Sequence, residues 1–153
     1  MLATPVQHAT TPACHVSQLK VALGNSEGAE GTIYYRILFT NESGATCSLR
    51  GYPGVSSVGG ADGHQIGQAA PRDPATVHTI VLHAYAVAGA SYGQVQALNF
   101  PKARCHPVTS LGLRVYAPGA TAARFLPLKH LACSSTTVRD SHVGPVTAGA
   151  GSP

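Results

Sequence analysis

Cysteine and histidine are the residues of this chain with the most chemistry to offer, and their spacing decides which chemistry is expected. The chain has four cysteines, Cys14, Cys47, Cys105 and Cys133. No two of them form a C-x-x-C pair, the short spacing that zinc sites normally show. We therefore predict disulfides, which are typical of proteins outside the reducing cytosol.

The pairing of the cysteines is one of three that four cysteines allow. We predict the two bridges that join neighbours in sequence order, Cys14–Cys47 and Cys105–Cys133. Each closes a loop of about 30 residues, for which the chain-entropy argument gives about 3–4 kcal/mol. Because a typical domain is stable by only about 5–15 kcal/mol, loss of both bridges is enough to unfold a marginal one.

Eight histidines raise the alternative of a metal-handling protein or a secreted hydrolase. They are His8, His15, His64, His78, His83, His106, His130 and His142. Metal-binding pairs usually lie two residues apart on a strand, or three or four apart on a helix, whereas His78 and His83 are separated by five. We interpret the histidines as scattered surface residues and predict no metal site and no cofactor.

A hydrolase also needs a nucleophile in a recognisable setting. Residues 89–93 (GASYG) place Ser91 between two glycines, but in a strand-like run instead of the strand-turn-helix of a nucleophile elbow. The six acidic residues mostly lie beside Gly, Ser or Pro in turns, which disfavours a pair of catalytic carboxylates. We predict no catalytic residues and no enzyme.

The charge pattern and the tyrosines bear on possible partners. The formal net charge is +4, and the ten Lys and Arg residues are scattered singly. Proteins that bind nucleic acid usually cluster such charges, so no nucleic-acid partner is expected. Six tyrosines outnumber three Phe and no Trp, and Tyr serves both as core filler and as a contact for protein or sugar. Strand alternation predicts that Tyr35 is buried and Tyr34 is exposed.

The elements that must position these residues are organised around residues 31–54. Residues 32–41 are rich in β-branched and aromatic side chains and predict a strand. One face of that strand carries Ile33, Tyr35, Ile37 and Phe39. We predict a hairpin after it, with Asn41 paired to Ala45 and Gly44 at positive φ. This register sets Phe39 opposite Cys47, and Ile37 opposite Leu49, on the core face.

The rest of the chain reads as more short strands joined by turns, because Gly (17) and Pro (11) are frequent and no amphipathic helix is evident. The predicted strands cover residues 19–23, 55–58, 64–67, 76–82, 90–98, 111–116 and 137–143, with a short segment starting at Phe125. Loops are predicted at residues 24–31 and 100–107. This pattern indicates an all-β fold, a two-sheet antiparallel β-sandwich that is only loosely immunoglobulin-like since Trp is missing.

The length of 153 residues suits one domain. We assign residues 1–13 to a flexible N-terminal arm, residues 14–143 to a single β-sandwich domain, and residues 144–153 to a flexible C-terminal tail. No apolar stretch approaches the roughly 20 residues that span a bilayer. No basic segment followed by an apolar one marks an export signal, so we interpret the chain as a mature segment.

Several motifs together resemble a known family. They are Cys14 before an alternating strand, Tyr35/Ile37/Phe39 ending in Thr40-Asn41, Gly44, Cys47-Ser48-Leu49, Gly51-Tyr52-Pro53-Gly54, Cys105-His106-Pro107, Leu113-Arg114-Val115 with Pro118-Gly119, and Cys133. They resemble an actinobacterial secreted and lipoprotein-associated domain of unknown function, over roughly residues 14–143. The Ala, Gly, Pro and Thr content suits a high-GC actinobacterium, of the kind that includes mycobacteria.

The resemblance implies an extracytoplasmic β-sandwich with two disulfides and no established catalytic residues, located in the cell envelope or secreted. From this we expect a non-catalytic binding or structural module, most simply a monomer. Its partner is expected to be an envelope protein, a glycan or a lipid. The alternative is a secreted hydrolase or a metal-handling protein that uses the scattered histidines.

Overall fold

The computed structural model describes residues 10–151, in which strands dominate. In chain order the strands are β1 (Leu19–Ala29), β2 (Thr32–Asn41), β3 (Cys47–Arg50), β4 (Gly54–Val58), β5 (Gln65–Ile66), β6 (Thr79–Leu82), β7 (Val87–Val95), β8 (Pro107–Tyr116), β9 (Arg124–Cys133), β10 (Ser141–Val143) and β11 (Thr147–Ala148). One short helix, α1 (Lys102–Cys105), and two single 3₁₀ turns, Val16–Gln18 and Ala97–Asn99, complete the described part.

The strands form two larger antiparallel sheets and one small sheet. The first sheet has the order β1-β2-β7-β10, and β11 also pairs with β7. The second sheet has the order β5-β4-β8-β9, and β3 pairs with β6 in a two-stranded sheet. All of these pairings are antiparallel.

One hydrophobic core lies between the sheets and draws on all three of them. Its members include Ile37, Phe39, Ala90 and Tyr92 from the first sheet, Val55, Leu113 and Val115 from the second, and Cys47, Leu49 and Leu82 from the small sheet. In β2 the alternate residues Ile37 and Phe39 are fully buried, because successive side chains of a strand point to opposite faces. The predicted all-β sandwich with two disulfides is confirmed.

A β-hairpin joins β1 to β2. Ala29 pairs with Thr32, which leaves Glu30 and Gly31 as a two-residue turn with φ of 50° and 81°. Positive φ at both central residues fits the turn type whose twist matches that of the flanking strands. The predicted loop at residues 24–31 is therefore wrong. The pattern missed this part of β1 because its side chains are exposed and carry no apolar alternation.

The predicted hairpin between β2 and β3 is also wrong. β2 pairs with β1 and β7 in the first sheet, whereas β3 pairs with β6. The chain thus leaves one sheet at Asn41 and enters another at Cys47. Gly44 is not among the glycines with positive φ, and a side chain at this position would meet open space.

The turn is made instead by the fully buried side chain of Asn41. Its Nδ2 donates to the carbonyls of Ala45 and Leu82, both at 2.9 Å. Its Oδ1 accepts from the backbone N–H of Ser43 at 3.0 Å and from the Ser43 hydroxyl at 2.7 Å. The Asn41 backbone adds bonds to Tyr85 and Ala86. One carboxamide therefore joins the end of β2, the connection to β3 and the end of β6.

Both predicted disulfides are confirmed. Cys14–Cys47 ties the segment before β1 to the start of β3, and Cys105–Cys133 ties α1 to the end of β9. The second bridge belongs to a small satellite core with Ala97 and Val138. The first bridge thus holds the segment before β1 on the sandwich, and the second holds the segment before β8 against the end of β9.

Three other predicted elements need correction. β9 is a full strand of ten residues where a short segment was expected, since this edge strand alternates poorly in sequence. α1 lies inside the predicted loop at residues 100–107. β6 is shorter than predicted and lies in the two-stranded sheet, where Val81 is 45% exposed.

The apolar alternation of Leu111, Leu113 and Val115 in β8 is interrupted in the middle of the strand. Leu113 and Val115 are buried, but Leu111 is 48% exposed because the register with β9 shifts between Ser110 and Gly112. Ser110 is buried in its place, and its hydroxyl donates to the Val58 carbonyl at 2.9 Å. The shift is a β-bulge, which reverses the side-chain alternation on one side of it.

Part of the segment assigned to a C-terminal tail lies on the first sheet. β11 pairs with β7, and Val146 is buried. The buried guanidinium of Arg36 donates from Nε to the Ala150 carbonyl at 2.8 Å and from Nη2 to the Thr147 hydroxyl at 2.6 Å. Gly89 makes room for it, since a Cβ there would lie 2.4 Å from Arg36 Nε.

The predicted arm at residues 1–13 lies outside the described residues up to residue 9. Beyond that point, Ala13 forms a parallel bridge with Ser48. The Ser48 N–H also donates to the Pro12 carbonyl at 2.8 Å. The last residues of the predicted arm therefore lie along the free edge of β3, next to the Cys14–Cys47 bridge.

Replacement of Asn41 tests the role of its carboxamide in the crossing of the chain from the first sheet, at the end of β2, to the two-stranded sheet, at the start of β3. We expect Asn41→Ala to lower the free energy of unfolding by about 3 kcal/mol, because it removes several buried hydrogen bonds and leaves the Leu82 carbonyl without its partner. Urea unfolding followed by circular dichroism measures this loss. Asn99→Ala is the matched control, since Asn99 is exposed and its amide makes one bond, to the Gly31 carbonyl. A loss at Asn41 no larger than at Asn99 contradicts the proposed role.

Candidate ligand cavity and buried polar network

A serine and a histidine meet between the two larger sheets. Ser57 Oγ on β4 lies 2.9 Å from His130 Nε2 on β9. His130 Nδ1 lies 2.7 Å from the Leu128 carbonyl oxygen, which only accepts, so Nδ1 carries the proton. Nε2 of the neutral ring is then the acceptor for the Ser57 hydroxyl. Both ring nitrogens are committed within the protein.

A second set of polar side chains connects β7 to Asp140, the residue before β10, beside this pair. The hydroxyl of Tyr92, a fully buried side chain, donates to Gln94 Oε1. Gln94 Nε2 donates to the Asp140 carbonyl at 3.0 Å and to its carboxylate at 3.2 Å. The same carboxylate accepts from the Cys133 N–H at 2.8 Å. Buried polar groups normally need such partners, and here they find them in one another.

Burial shifts the pKa of the titratable groups around this network. It raises the pKa of Tyr92, and the negative charge of Asp140 adds to that rise. Burial lowers the pKa of His130, while the Leu128 carbonyl bond and the Asp140 charge oppose the change. Burial also raises the pKa of Tyr35. Burial disfavours the charged form in each case, so His130 and the two phenols are neutral near pH 7.

A cavity of about 250 Å³ opens next to the network, at one end of the sandwich. β2, β7, the 3₁₀ turn after β7, and β9 supply its lining residues: Ile33, Tyr35, Gln94, Gln96, Ala97, Leu98, His130 and Leu131. The rings of Tyr35 and Tyr92 lie 6.4 Å apart and connect the cavity wall to the core. Leu98 and Leu131 are 72% and 43% exposed at its rim.

The cavity is apolar on its walls and uncharged throughout. None of its lining residues is an acid, a lysine or an arginine. Two polar lining residues, Gln94 and His130, already bond within the protein. Among residues 10–151, neither the Tyr35 hydroxyl nor the Gln96 side chain has a protein partner. These two groups are free to bond a ligand.

Two wider concave surfaces lie elsewhere on the described residues. One, of about 460 Å³, runs between residues 12–16 and residues 119–122, and the other, of about 560 Å³, lies around His64 and Val108. The buried network of Tyr92, Gln94 and Asp140 borders neither of them. The smaller cavity is therefore the better-formed candidate, since ligand sites combine apolar walls with a few fixed polar groups.

The remaining histidines do not assemble into a single site. In residues 10–151 no group of three His, Cys, Asp or Glu side chains is placed to hold a metal ion, and His8 lies outside the described residues. His142 Nδ1 lies 2.8 Å from Asp73 Oδ2. Its ring packs edge-on against Tyr34, 5.6 Å between centroids, in space that Gly93 leaves open.

The two neighbouring tyrosines of β2 lie in different surroundings, one at the cavity and one against His142. Tyr35 lines the cavity on the core side, and Tyr34 packs on His142. Both are half-buried, so the expectation of one buried and one exposed ring was too simple. Ser91, the serine of the GASYG segment, lies within β7 and pairs with Arg36 of β2, a strand setting and not an elbow.

Sequence reasoning missed the network and the cavity. Ser57, Gln94, His130 and Asp140 come from regions that are far apart in the chain, with no spacing that unites them. The one usable signal was Tyr92, a large side chain in a strand. A buried phenol needs a hydrogen-bond partner, and this need pointed to polar groups nearby.

The fold and its bridges define the protein as a small disulfide-bonded β-sandwich domain with a cavity at one end. No helix of the described residues is long and apolar enough to cross a membrane. Residues 14–147 match the model of a protein family described as "Domain of unknown function (DUF4232)", and the chain belongs to that family. Neither curated proteins nor solved structures gave a match.

The pH dependence of stability tests the buried state of His130. Its folded pKa is lower than the ordinary 6.5, so the unfolded chain takes up this proton first as pH falls. The contribution is fully present above about pH 6.5 and is lost as pH falls toward the folded pKa. We expect His130→Gln, which does not titrate, to lose less stability than the wild type between about pH 7 and about pH 5.

Urea unfolding at a series of pH values measures this difference. Lys129→Gln is the control, because Lys129 is the exposed neighbour of His130 on the same strand. We expect it to keep the wild-type dependence. If the His130→Gln protein also keeps that dependence, the buried neutral histidine is contradicted.

Proposed function

We propose that this protein is a non-catalytic binding module that works outside the cytoplasm in the cell envelope of an actinobacterium, as a monomer. The observation that carries the proposal is the uncharged cavity of about 250 Å³, in which hydrogen bonds within the protein hold two polar lining residues, Gln94 and His130, in place. A preformed cavity with fixed walls binds without a large ordering cost. The partner is a component of the envelope that presents a small group to this cavity.

The extracytoplasmic setting is supported by the two disulfides. Structural disulfides persist in oxidising compartments and are rare in the cytosol. The Ala-, Gly- and Pro-rich composition favours an actinobacterial source. Family membership specifies neither the setting nor an activity.

The non-catalytic character is supported by the surroundings of Ser57. Ser57 and His130 are a nucleophile and a base by residue type, which is the one observation that favours the hydrolase alternative. Ser57 is only 7% exposed, however, and is not among the residues that line the cavity. The second nitrogen of His130 bonds a backbone carbonyl and not the carboxylate of a triad. We interpret the pair as a structural hydrogen bond.

A substitution at Ser57 separates the two functions. If the pair is structural, hydrolysis of p-nitrophenyl acetate by the purified protein should be equal for the wild type and Ser57→Ala. The same two proteins should show no covalent labelling of Ser57 by a fluorophosphonate in mass spectrometry. Turnover that disappears in Ser57→Ala while the melting temperature is kept contradicts the binding-module proposal in favour of a hydrolase.

Substitutions of exposed leucine and valine test the cavity as the binding site. We expect Leu98→Asp at the cavity rim to weaken binding of benzyl alcohol by about tenfold, because an unpaired charge beside an apolar site disfavours an apolar ligand. Val81→Asp is the control, since Val81 is 45% exposed on β6, which does not contribute to the cavity. It should bind as the wild type does.

Amide chemical shifts in a titration measure both affinities. In the wild type, the amides that respond should be those of Ile33, Gln96, Leu98 and Leu131. Equal weakening by both aspartates, or responses outside these residues, contradicts the assignment of the site.

A further inference from the structure

We infer that the cavity selects a small neutral molecule, with a compact apolar body and a single hydrogen-bonding group at one end. The inference rests on the proposed function and adds the chemical class of the ligand. It follows from three properties of the cavity: its size, its lack of charge and the location of its free polar groups.

The size of the cavity suits a single ring or a short chain. Its volume is about 250 Å³, which exceeds the about 150 Å³ at which an engineered apolar cavity binds benzene. It is smaller than the about 300–1,000 Å³ of sites that enclose drug-sized molecules. A six-membered ring with one substituent is larger than benzene and smaller than a drug-sized molecule, so it fits a cavity of this volume.

The lack of charge disfavours ionised ligands. A charged group that enters an apolar site loses its hydration. No acid, lysine or arginine among the lining residues offers an opposite charge that would compensate for this loss. His130 does not supply a cation, because both of its nitrogens are committed and burial lowers its pKa. The buried carboxylate of Asp140 lies behind Gln94 and disfavours an anion further.

The free polar groups place the head of the ligand. The Tyr35 hydroxyl both donates and accepts, and the Gln96 amide does the same at the mouth. Ile33, Ala97 and Leu131 are left to contact the apolar body. A neutral amide or alcohol satisfies both sets of contacts, because it exchanges hydrogen bonds without bringing a charge.

Three ligands of one shape test the selection: benzamide, benzoate and benzylamine, which at pH 7.5 are neutral, anionic and cationic. Titrations of the full chain, followed by amide chemical shifts, give the three dissociation constants. We expect benzamide to bind at least about tenfold more tightly than either charged analogue, a difference of about 1.4 kcal/mol. A charged analogue that binds at the cavity as tightly as benzamide overturns the inference and leaves the cavity as the binding site.

Tyr35→Phe tests the polar head separately, because it removes one hydroxyl and keeps the ring. We expect it to weaken benzamide about fivefold and to leave toluene unchanged, within the range of one lost hydrogen bond. Tyr34→Phe is the matched control, since Tyr34 lies outside the cavity. Equal effects of the two substitutions contradict the role of Tyr35. If neither benzamide nor toluene shifts any cavity amide, both the inference and the cavity as a binding site are wrong.

Discussion

The side chain of Asn41 is the constraint on which the architecture depends. A chain that leaves one sheet of a sandwich for another must turn sharply, and backbone groups that the turn takes out of a strand ladder need other hydrogen-bond partners. The buried carboxamide supplies donors to Ala45 and Leu82 and an acceptor to Ser43, so the crossing satisfies its polar groups. β3 can then pair with β6, while β2 remains between β1 and β7.

The crossing and the two disulfides shape the two ends of the molecule differently. Asn41 and Cys14–Cys47 act at the end where β2 passes to β3. The cavity lies where β2 begins and β7 ends. The Cys105–Cys133 bridge is connected to it by hydrogen bonds, because the Cys133 N–H donates to the carboxylate of Asp140 and that carboxylate accepts from Gln94 in the cavity wall. The second disulfide therefore helps to hold the carboxylate that fixes Gln94.

Much of the fold could be predicted because period-two alternation depends only on which side chains are buried. It placed Ile37, Phe39, Leu113 and Val115 correctly, and pairing the cysteines in sequence order was sufficient for the disulfides. It failed where a side chain directs the backbone, as at Asn41. The cavity was beyond prediction for a related reason, since its polar groups meet only after three strands and a 3₁₀ turn have packed together.

The central claim is that the end of the sandwich holds a preformed apolar cavity in which Gln94 and His130 bond within the protein and Tyr35 and Gln96 are left to bond a ligand. Crystals of the oxidised protein under xenon pressure test it directly, since xenon occupies dry apolar cavities. The account predicts a xenon peak between Ile33, Ala97 and Leu131, with side chains unmoved. An ordered water cluster bonded to Gln94 and His130 at this place, with no xenon, would contradict it.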